Sequence, residues 1–325
     1  MDALGAFNGK TVVVTGASGY IGSVLVDLLI KHSGKVIRVS RLNLSRLANV
    51  ETIQTDVRNP DTWTKIVERA DIIYHLAGNT SVYDAANNPA ESLNSTLLPL
   101  NHLIKAAQEL KRQPKVIFAS TATVYGLTPP FPVAETVEPK PITVYDLHKL
   151  FAEQQLLLAT KQGVLNGIAL RLANVYGPST SASSADDRGI LNRVTAMALQ
   201  GKDLTIYGDG SYLRDYVYIS DVAQAFMLAG LRDDVCGRVF NVASGKSVSL
   251  SEAFNLVAVR AARVSGVEVD VNHTPWPEGA SAIEFRSYVA DINCISTTLG
   301  WQPAITLEAG IDCMIDKIGE GAVNG

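Results

Sequence analysis

Tyr145 and Lys149 are the two residues whose types and spacing most directly suggest chemistry. They lie four positions apart in a helical pattern, so their side chains share one face. A phenol has a pKa near ~10 in water, too high for a base at neutral pH, and a nearby ammonium lowers that value. The pair could remove a proton from a substrate hydroxyl, and the lysine could also bind a cofactor ribose. The same spacing also arises by chance on solvated helix faces, so other residues must support it.

Ser120 and Thr121 follow a strand predicted over Lys115–Ala119, at its carboxyl end. The sheets of α/β proteins present ligand-binding side chains at this end. A hydroxyl there could orient a substrate hydroxyl or carbonyl for proton transfer, so both residues are candidates for substrate contact. The alternative is a pair of turn-forming hydroxyls.

The segment from Thr15 to Gly22 predicts a dinucleotide-binding turn between a β-branched strand and a helix. Its first glycine would permit a tight turn, its second would let the backbone approach a pyrophosphate, and its third would let helix and strand pack closely. The N–H groups at the helix start would then face the phosphates. The cofactor contacts predicted here are Gly16, Ser18, Gly19, Tyr20, Ile21 and Gly22.

The ends of two further strands supply more cofactor candidates. Asp56, followed by Val57, could cap the next helix or accept a hydrogen bond from an adenine amino group. We favour the second interpretation because the rest of a dinucleotide site is present. The small residues after Leu76, Ala77 and Gly78, would let the backbone press against a cofactor.

Short apolar runs alternate with helical patterns in the first half of the chain, which predicts a Rossmann-type, doubly wound parallel sheet. The predicted strands are Thr11–Thr15, Lys35–Ser40, Val50–Gln54, Asp71–Leu76, Lys115–Ala119 and Gly167–Leu172. The predicted helices are Tyr20–His32, Asp61–Arg69, Glu91–Leu110 and Val144–Thr160. We expect an NAD(P)-binding domain over residues 1–173. A smaller α/β substrate domain should occupy residues 174–325, with some segments returning to the first domain.

The composition bounds the possible partners. Apolar residues make up 47% of the 325 residues, and the net charge is −4 without any basic run, so the sequence predicts neither nucleic-acid nor membrane binding. Cys236, Cys294 and Cys313 are widely spaced and lack a metal-ligand pattern, so we expect no metal site. Thiols of this kind are typical of a reducing, cytoplasmic location.

Several motifs in order show that the chain resembles the extended short-chain dehydrogenase/reductase family, in its nucleotide-sugar epimerase/dehydratase branch. The match runs from about residue 10 to 315. The matching positions are Gly16, Gly19 and Gly22; Asp56 and Val57; Thr121, Tyr145 and Lys149; and the segments Arg171 to Pro178, Ile206 to Gly210, Arg214 to Tyr218 and Gly300 to Pro303.

The resemblance implies a mechanism and a substrate class. Tyr145 would remove a proton from a sugar hydroxyl while the ring carbon passes hydride to a nicotinamide, with Thr121 steadying the hydroxyl oxygen and Lys149 keeping Tyr145 ionised. The substrate would be a nucleotide-diphosphate sugar, contacted by the side chains of Asn174 and Arg214, with Arg214 on the diphosphate. The family's arginine upstream of the final strand–helix unit is not obvious in this sequence, and Arg286 could replace it from a different position. The family also implies a homodimer paired through Glu91–Leu110 and Val144–Thr160.

Departures from the family pattern separate the possible reactions. Ala122 and Thr123 stand where dehydratases carry an acidic pair, which argues against a 4,6-dehydratase, and the segment Ser120 to Gly126 is similar to hexose 4-epimerases. NAD-binding members place a carboxylate where this chain has Ser40 and Arg41, so NADP is favoured over NAD.

Three functions stay open at this point. The first is a nucleotide-sugar 4-epimerase acting through a transient 4-keto sugar. The second is an NADPH-dependent nucleotide-4-keto-6-deoxysugar reductase, which the NADP preference suits better. A non-catalytic NADP-binding sensor is a third, although a pure binder would need none of Thr121, Tyr145 and Lys149.

Overall fold

A computed structural model describes Phe7 and residues 9–32, 35–127, 129–178 and 189–323. A seven-stranded, wholly parallel sheet forms its centre. Its strands are β1 (Thr11–Thr15), β2 (Lys35–Ser40), β3 (Val50–Gln54), β4 (Ile72–His75), β5 (Lys115–Thr121), β6 (Asn166–Leu172) and β11 (Val239–Val242). They lie in the order β3-β2-β1-β4-β5-β6-β11. The strand order reverses between β1 and β4, and ligands of such sheets bind at that point.

Helices cover both faces of the sheet, because alternate residues of each strand point to opposite sides. The helices against this sheet are α1 (Tyr20–Ile30), α2 (Pro60–Arg69), α5 (Leu98–Glu109), α6 (Val144–Lys161), α8 (Ile219–Leu231) and α10 (Asn293–Leu299). Two short helices, α3 (Val82–Asn87) and α4 (Pro89–Thr96), pack on α6. On β1, Val12 and Val14 join the apolar core beneath α1 and α8, whereas Val13 joins the core beneath α2, α5 and α6. The doubly wound fold class predicted from the sequence is thus confirmed.

A smaller group of elements follows β6 and encloses its own apolar core. Its elements are β7 (Asn174–Tyr176), α7 (Ile190–Leu199), β8 (Leu204–Tyr207), β9 (Leu213–Arg214), β10 (Tyr216–Tyr218), β12 (Val248–Ser249), α9 (Leu250–Ser265), β13 (Val271–Thr274) and α11 (Leu307–Val323). Among the described residues, two-stranded sheets pair β7 with β10, β9 with β12 and β8 with β13. Three later elements, α8, β11 and α10, return to the large sheet. The domain division at 173/174 stays a prediction.

Two predicted elements differ from the structure in ways that matter for the site. The single helix predicted over Glu91–Leu110 is wrong: α4 ends at Thr96 and α5 begins at Leu98, because Pro99 lies in the first turn of α5, where it cannot continue a preceding helix. Strand β5 extends to Thr121, so Ser120 and Thr121 belong to the strand and point to opposite faces. Across the described ranges, no helix has the length and apolar character needed to cross a lipid bilayer.

Candidate active site

The glycine-rich turn after β1 has the geometry expected of a phosphate-binding loop. Gly16 has φ of +68°, and a Cβ there would lie 2.8 Å from the backbone nitrogen of Ala77. A Cβ on Gly22 would lie 2.2 Å from the carbonyl oxygen of Gly16, so only glycine lets α1 pack this closely on the turn. Gly19 is the N-cap of α1, and no side chain of the described residues caps that helix by a hydrogen bond. The backbone N–H groups at the start of α1 therefore lie beside the turn, in the arrangement that binds a phosphate in proteins of this kind.

The other predicted residues of the turn are held by contacts with neighbouring strands and loops. The Ser40 hydroxyl at the end of β2 donates to the Ser18 hydroxyl at 2.9 Å. The Tyr20 hydroxyl donates to the carbonyl of Gly177 at 2.7 Å, which ties α1 to the loop after β7. Ile21 packs against the core of the large sheet. These contacts hold the glycine-rich turn against the end of β2 and against the loop after β7.

The end of β4 reaches the catalytic candidates. The backbone N–H of Leu76 donates to the Thr15 carbonyl at 3.3 Å. The N–H of Ala77 donates to the Thr15 hydroxyl, also at 3.3 Å. A Cβ on Gly78 would lie 3.6 Å from the Lys149 ammonium nitrogen. Ala77 and Gly78, which the sequence predicts to face a cofactor, therefore lie between the glycine-rich turn and Lys149.

Asp56 does not cap the next helix, because Asn59 accepts the N-capping hydrogen bond from Asp61 instead. The Asp56 carboxylate pairs with the Arg58 guanidinium at 2.6 Å, and hydrogen bonding to Arg58 is the main reason why its pKa is lowered. Val57 packs beside the core under α2.

The arginines near the end of β2 have different surroundings. Arg38 is buried, and its guanidinium donates to the Ser45 carbonyl and the Thr52 hydroxyl, both at 2.7 Å. These hydrogen bonds give Arg38 a structural role between β2 and β3. Arg41, directly after β2, is exposed at the sheet edge near Asp56.

Thr121 and Tyr145 line one cavity of about 210 Å³, together with the predicted substrate residues Asn174 and Arg286. One Arg286 guanidinium nitrogen donates to the Asn174 side-chain oxygen at 3.2 Å, which holds the cation in the cavity wall. The cavity lies at the carboxyl ends of β5 and β6, where this fold binds ligands. Sequence elements separated by more than 160 residues therefore meet at one site.

Lys149 lies beside this cavity without pairing with Tyr145. Its ammonium donates to the Ala119 carbonyl at 3.0 Å and lies 5.9 Å from the centre of the Tyr145 ring. Burial lowers the pKa of Lys149 to about 8.

The pKa of Tyr145 is raised to about 12, not lowered. Burial is the main cause, followed by the charge of Asp146, while the Thr121 hydroxyl and the Arg286 charge act in the opposite direction. The sequence predicted that Lys149 would lower the pKa of Tyr145, but Lys149 is not among the groups that shift this pKa in the structure. Arg286 is the cation that lowers the pKa of the phenol here.

Ser120 is not part of the cavity wall, and its role as a substrate contact stays a prediction. Its hydroxyl donates to the buried carboxylate of Glu153 at 2.7 Å. Glu153 also pairs with Arg171 at 2.5 Å, and Arg171 donates to the hydroxyl of Tyr125 at 2.8 Å. Because strand residues alternate in direction, Ser120 faces this network while Thr121 faces the cavity.

Arg214 also lies outside the cavity wall. Its guanidinium donates to the backbone carbonyls of Leu213, Glu284 and Arg286. Burial, followed by the neighbouring Arg286 charge, lowers the pKa of Arg214 to about 10. These bonds use three of the five guanidinium donors of Arg214, and its contact with a diphosphate stays a prediction.

Comparison with known proteins decides the family. The model of the NAD dependent epimerase/dehydratase family matches residues 12–243. The chain belongs to this family. It is therefore an enzyme of the extended short-chain dehydrogenase/reductase type, whose Rossmann fold binds a nicotinamide dinucleotide.

Individual members of the epimerase/dehydratase family align over nearly the whole chain. A UDP-glucose 4-epimerase from Mycolicibacterium smegmatis is 29% identical over 309 residues, covering 92% of this chain and 95% of that protein. The crystal structure of a UDP-glucose 4-epimerase from Thermotoga maritima with UDP-glucose has a TM-score of 0.84 and 28% identity, covering 97% of this chain and 99% of that one. The structure of MoeE5 with UDP-glucose and NAD has a TM-score of 0.83 and 28% identity, with coverage of 96% and 99%.

Sequence reasoning missed several residues of this epimerase/dehydratase site. The cavity wall also contains Thr80, Val82, Ala122, Thr123, Leu172, Ala173 and Tyr288. Asp146 is buried directly after Tyr145, and neither of its carboxylate oxygens completes a hydrogen bond to a described residue. Its position in the first turn of α6, beside the tyrosine, was the one available sequence signal. Within the described residues, no cluster of three His, Cys, Asp or Glu side chains could hold a metal ion.

Proposed function

We propose that the protein is an NAD(P)-dependent nucleotide-sugar 4-epimerase that acts through a transient 4-keto sugar. The observation that carries this proposal is the cavity shared by Thr121, Tyr145, Asn174 and Arg286 at the carboxyl ends of β5 and β6. It offers hydroxyl groups for proton transfer, and an amide and a cation for binding. The similarity to proteins named UDP-glucose 4-epimerase supports a UDP-linked hexose as the substrate.

The residues present fit a nicotinamide dinucleotide. Side chains at Gly16 and Gly22 would collide with backbone atoms of the turn, as expected where the main chain itself forms a phosphate cradle. The residues that would hold the cofactor are Gly16, Ser18, Gly19, Tyr20, Ile21, Gly22, Ser40, Arg41, Asp56, Val57, Leu76, Ala77, Gly78, Tyr145 and Lys149. When bound, the nicotinamide would supply hydride acceptance and return at the sugar carbon.

The chain's own residues would manage the proton. In the oxidising half-reaction, the proton of the sugar hydroxyl passes to the Tyr145 phenolate oxygen as the carbonyl forms. In the reducing half-reaction, that phenol proton returns to the keto oxygen. Thr121 orients the sugar oxygen. Arg286 supplies positive charge near the phenol, which favours its ionised form.

We further propose a preference for NADP over NAD, carried by Arg41. This exposed cation at the end of β2, next to Ser40, suits a 2′-phosphate, and no carboxylate stands at that strand end to repel it. The related MoeE5 structure contains NAD, which does not favour this preference. In Arg41→Asp, we expect the ratio of NADP to NAD affinity to fall by about tenfold, the effect of losing one charged hydrogen bond. A fluorescence titration measures this ratio, and an unchanged ratio would contradict the proposal.

Two neighbouring arginines support an anionic, diphosphate-bearing substrate. The positive charge of Arg286 contributes to lowering the pKa of Arg214, so an anion placed between them would be favourable. Asn174 would contact the sugar from the same wall. We propose a nucleotide-diphosphate sugar as the ligand of this site.

A reductase is the second candidate, because one observation favours it. The raised pKa of Tyr145 keeps the phenol protonated, and a protonated phenol is the form that donates to a keto oxygen. Together with the NADP preference, this suits an NADPH-dependent nucleotide-4-keto-6-deoxysugar reductase.

We also propose that the protein is a cytoplasmic homodimer. The outer face of α6 exposes Leu147, Phe151 and Leu158, and α4 beside it exposes Leu93. Such an apolar face at helical spacing suits pairing with a second copy. The three cysteines are free thiols, in agreement with a reducing compartment. Light scattering should give twice the monomer mass, and Phe151→Glu should give the monomer mass.

The test of the proposed function uses purified protein and UDP-galactose or UDP-glucose with no added cofactor. Interconversion of the two, followed by nuclear magnetic resonance, is the expected result, and Tyr145→Phe serves as the inactive control. Turnover only with a UDP-4-keto-6-deoxyhexose plus NADPH would establish the reductase instead. Tight cofactor binding without turnover of either substrate would overturn both the epimerase and the reductase proposals, and would favour a non-catalytic NADP-binding sensor.

A further inference from the structure

The cavity wall is built from two parts of the chain that are far apart in sequence. Val82, the first residue of α3, lies in one part, and Arg286 and Tyr288 lie in the other. Helix α3 packs on α4 and α6. The second part is held from β9, because the Arg214 guanidinium donates to the carbonyls of Glu284 and Arg286. Any contact between the two parts therefore resists their separation.

A single side-chain hydrogen bond joins these two parts. The Tyr83 hydroxyl on α3 donates to the Glu284 carboxylate at 2.6 Å, across 201 positions of sequence. Within the described ranges, it is the one hydrogen bond between α3 and the segment 281–288. Burial, followed by this hydrogen bond, raises the pKa of Tyr83 to about 12, so the phenol stays protonated near neutral pH and can donate. We call this bond the Tyr83–Glu284 clasp.

The clasp lies at the rim of the cavity and not inside it. Tyr83 and Glu284 do not line the cavity, but Val82 is adjacent to Tyr83, and Arg286 follows Glu284 by two positions. Tyr83 is 54% exposed, so the bond meets solvent where the two walls come together. The clasp therefore acts on the separation of the walls and not on the ligand by contact.

The size of the cavity and the proposed reaction place opposite demands on these walls. At about 210 Å³, the cavity is smaller than the ~300–1,000 Å³ of pockets that enclose drug-sized ligands, so a nucleotide-diphosphate sugar has to part the walls to enter. Between the two half-reactions, however, the sugar is a ketone without a covalent bond to the protein. Escape of that ketone would leave the cofactor reduced and the enzyme unable to begin another cycle.

We propose that Tyr83 and Glu284 form a clasp that closes the cavity over the sugar and retains the transient 4-keto sugar until hydride returns. Both are positioning residues, because neither touches the substrate, the cofactor or the reacting atoms. The identity of the retained species rests on the proposed function. The opening and closing of the clasp concern only ligand exchange, which can be measured without turnover.

Loss of the clasp should change the rates of ligand exchange and not the affinity. A bond that holds the walls together makes the open state rare, which slows entry and exit by the same factor. Without the Tyr83 hydroxyl, association and dissociation rate constants should rise together by about five- to tenfold, as for one partly exposed hydrogen bond, with Kd changed by less than about twofold. A residue that shaped the binding site would change Kd instead.

The exchange test uses the holoenzyme in the Tyr145→Phe background, where the chemistry is stopped, and UDP-glucose as the probe in stopped-flow fluorescence. Tyr83→Phe should show the joint rise of both rate constants. Glu284→Gln keeps an acceptor oxygen without the charge, so its rise should be smaller. Combining the two substitutions should add nothing to Tyr83→Phe, because the same bond is broken twice.

Glu278→Gln is the matched control for the loss of a carboxylate. Glu278 is exposed six positions before Glu284, and its substitution leaves the clasp intact, so the exchange rates should equal those of the background. Unchanged rate constants in Tyr83→Phe would overturn the proposal. A rise in Kd carried by dissociation alone would also overturn it, because Tyr83 would then stabilise the bound ligand itself.

A second measurement follows the ketone in holoenzyme that keeps Tyr145. During incubation with UDP-glucose, Tyr83→Phe should accumulate reduced cofactor, read from its absorbance, and lose activity about five- to tenfold faster than the wild type. In each such event the hydride stays on the cofactor, the hydroxyl proton stays with the protein or solvent, and UDP-4-keto-glucose leaves, to be detected by mass spectrometry.

The two measurements separate the clasp from the proposed function. Faster exchange in Tyr83→Phe, with no epimerisation by any variant, would count against the proposed function while supporting the clasp. Normal epimerisation with unchanged exchange would do the reverse. Faster exchange without reduced cofactor or released ketone, in an enzyme that epimerises, would overturn the retention of the keto sugar.

Discussion

Two buried carboxyl groups on α6, Asp146 and Glu153, meet opposite surroundings within one helix. Glu153 accepts hydrogen bonds from Ser120 at 2.7 Å and from Arg171 at 3.0 Å. Asp146 is equally buried, yet neither of its oxygens completes a hydrogen bond with a described residue. Buried polar groups that serve only the fold are normally satisfied. The contrast therefore separates a carboxylate that belongs to a closed hydrogen-bond network from one whose oxygens have no such network beside the cavity residue Tyr145.

The pleat of β5 produces this contrast. Ser120 and Thr121 are neighbours, but one points toward Glu153 and the other toward the cavity. On the Glu153 side, the network continues through Tyr125, whose hydroxyl donates to Asn241 on β11 at 2.8 Å. This closed network joins α6 to the last strands of the sheet. The Thr121 side stays open, as a ligand site requires.

The largest effect is expected on the open side, from Tyr145→Phe. Loss of the phenol hydroxyl removes the proton acceptor and donor, so kcat/KM should fall by about 10²- to 10⁴-fold. The ring remains, so cofactor affinity and the thermal midpoint should stay near those of the wild type. Steady-state kinetics and a cofactor titration measure both. Near-normal turnover would remove Tyr145 from the mechanism.

On the closed side, Glu153→Gln should act on stability. Arg171 is 5% exposed and would lose its only paired carboxylate among the described ion pairs, which costs about 3–5 kcal/mol of unfolding free energy for a buried pair. Asp146→Asn removes no completed bond and should change the unfolding free energy far less. Urea unfolding of the two variants measures the difference. Equal losses would show that the two carboxyls do not differ in the way the structure indicates.

Much of the fold and part of the site follow from local sequence patterns. The β-branched runs and the intervening helical patterns predict the parallel sheet, and the glycine spacing predicts the turn after β1, because these signals depend on neighbouring residues alone. Thr121, Tyr145 and Asn174 could also be placed at one edge, since the carboxyl ends of parallel strands meet there.

Other features depend on contacts between distant segments, which no local pattern reveals. Arg214 donates to carbonyls some 70 residues away, so its absence from the cavity wall could not be predicted from its motif. Ser120 and Thr121 were both predicted to contact substrate, but β5 continues through both residues, so they point to opposite faces and Thr121 alone of the two lines the cavity. The break of the predicted helix at Pro99, by contrast, had a local signal, and proline chemistry was sufficient to find it.

The hydroxyls of Ser120 and Thr121 test the same contrast between the two faces of β5, with smaller expected effects. Thr121→Ala should lower kcat/KM by about tenfold or more while leaving the unfolding free energy nearly unchanged, because its hydroxyl serves the cavity. Ser120→Ala should instead lower the unfolding free energy by about 1 kcal/mol, since it removes one buried hydrogen bond to Glu153. Steady-state kinetics of both variants measure the change in kcat/KM, and thermal unfolding measures the change in stability. A greater loss of turnover in Ser120→Ala than in Thr121→Ala would reverse the assignment of the two faces.

The smallest effect concerns the pH dependence of stability. Burial raises the pKa of Asp146 in the folded protein above the value of about 3.9 in the unfolded chain. The folded state then binds more protons than the unfolded state, so stability is lost as pH rises from about 4 through the raised folded pKa, and then levels off. Asp146→Asn lacks this loss, so the difference between its thermal midpoint and that of the wild type should increase in favour of the variant over that pH range.

Other carboxyls with raised pKa values, such as Asp215 and Asp221, are present in both proteins, so their contributions cancel in this difference. Parallel curves for the two proteins would mean that Asp146 titrates as it does in the unfolded chain, and the contrast with Glu153 would then be one of hydrogen bonding alone.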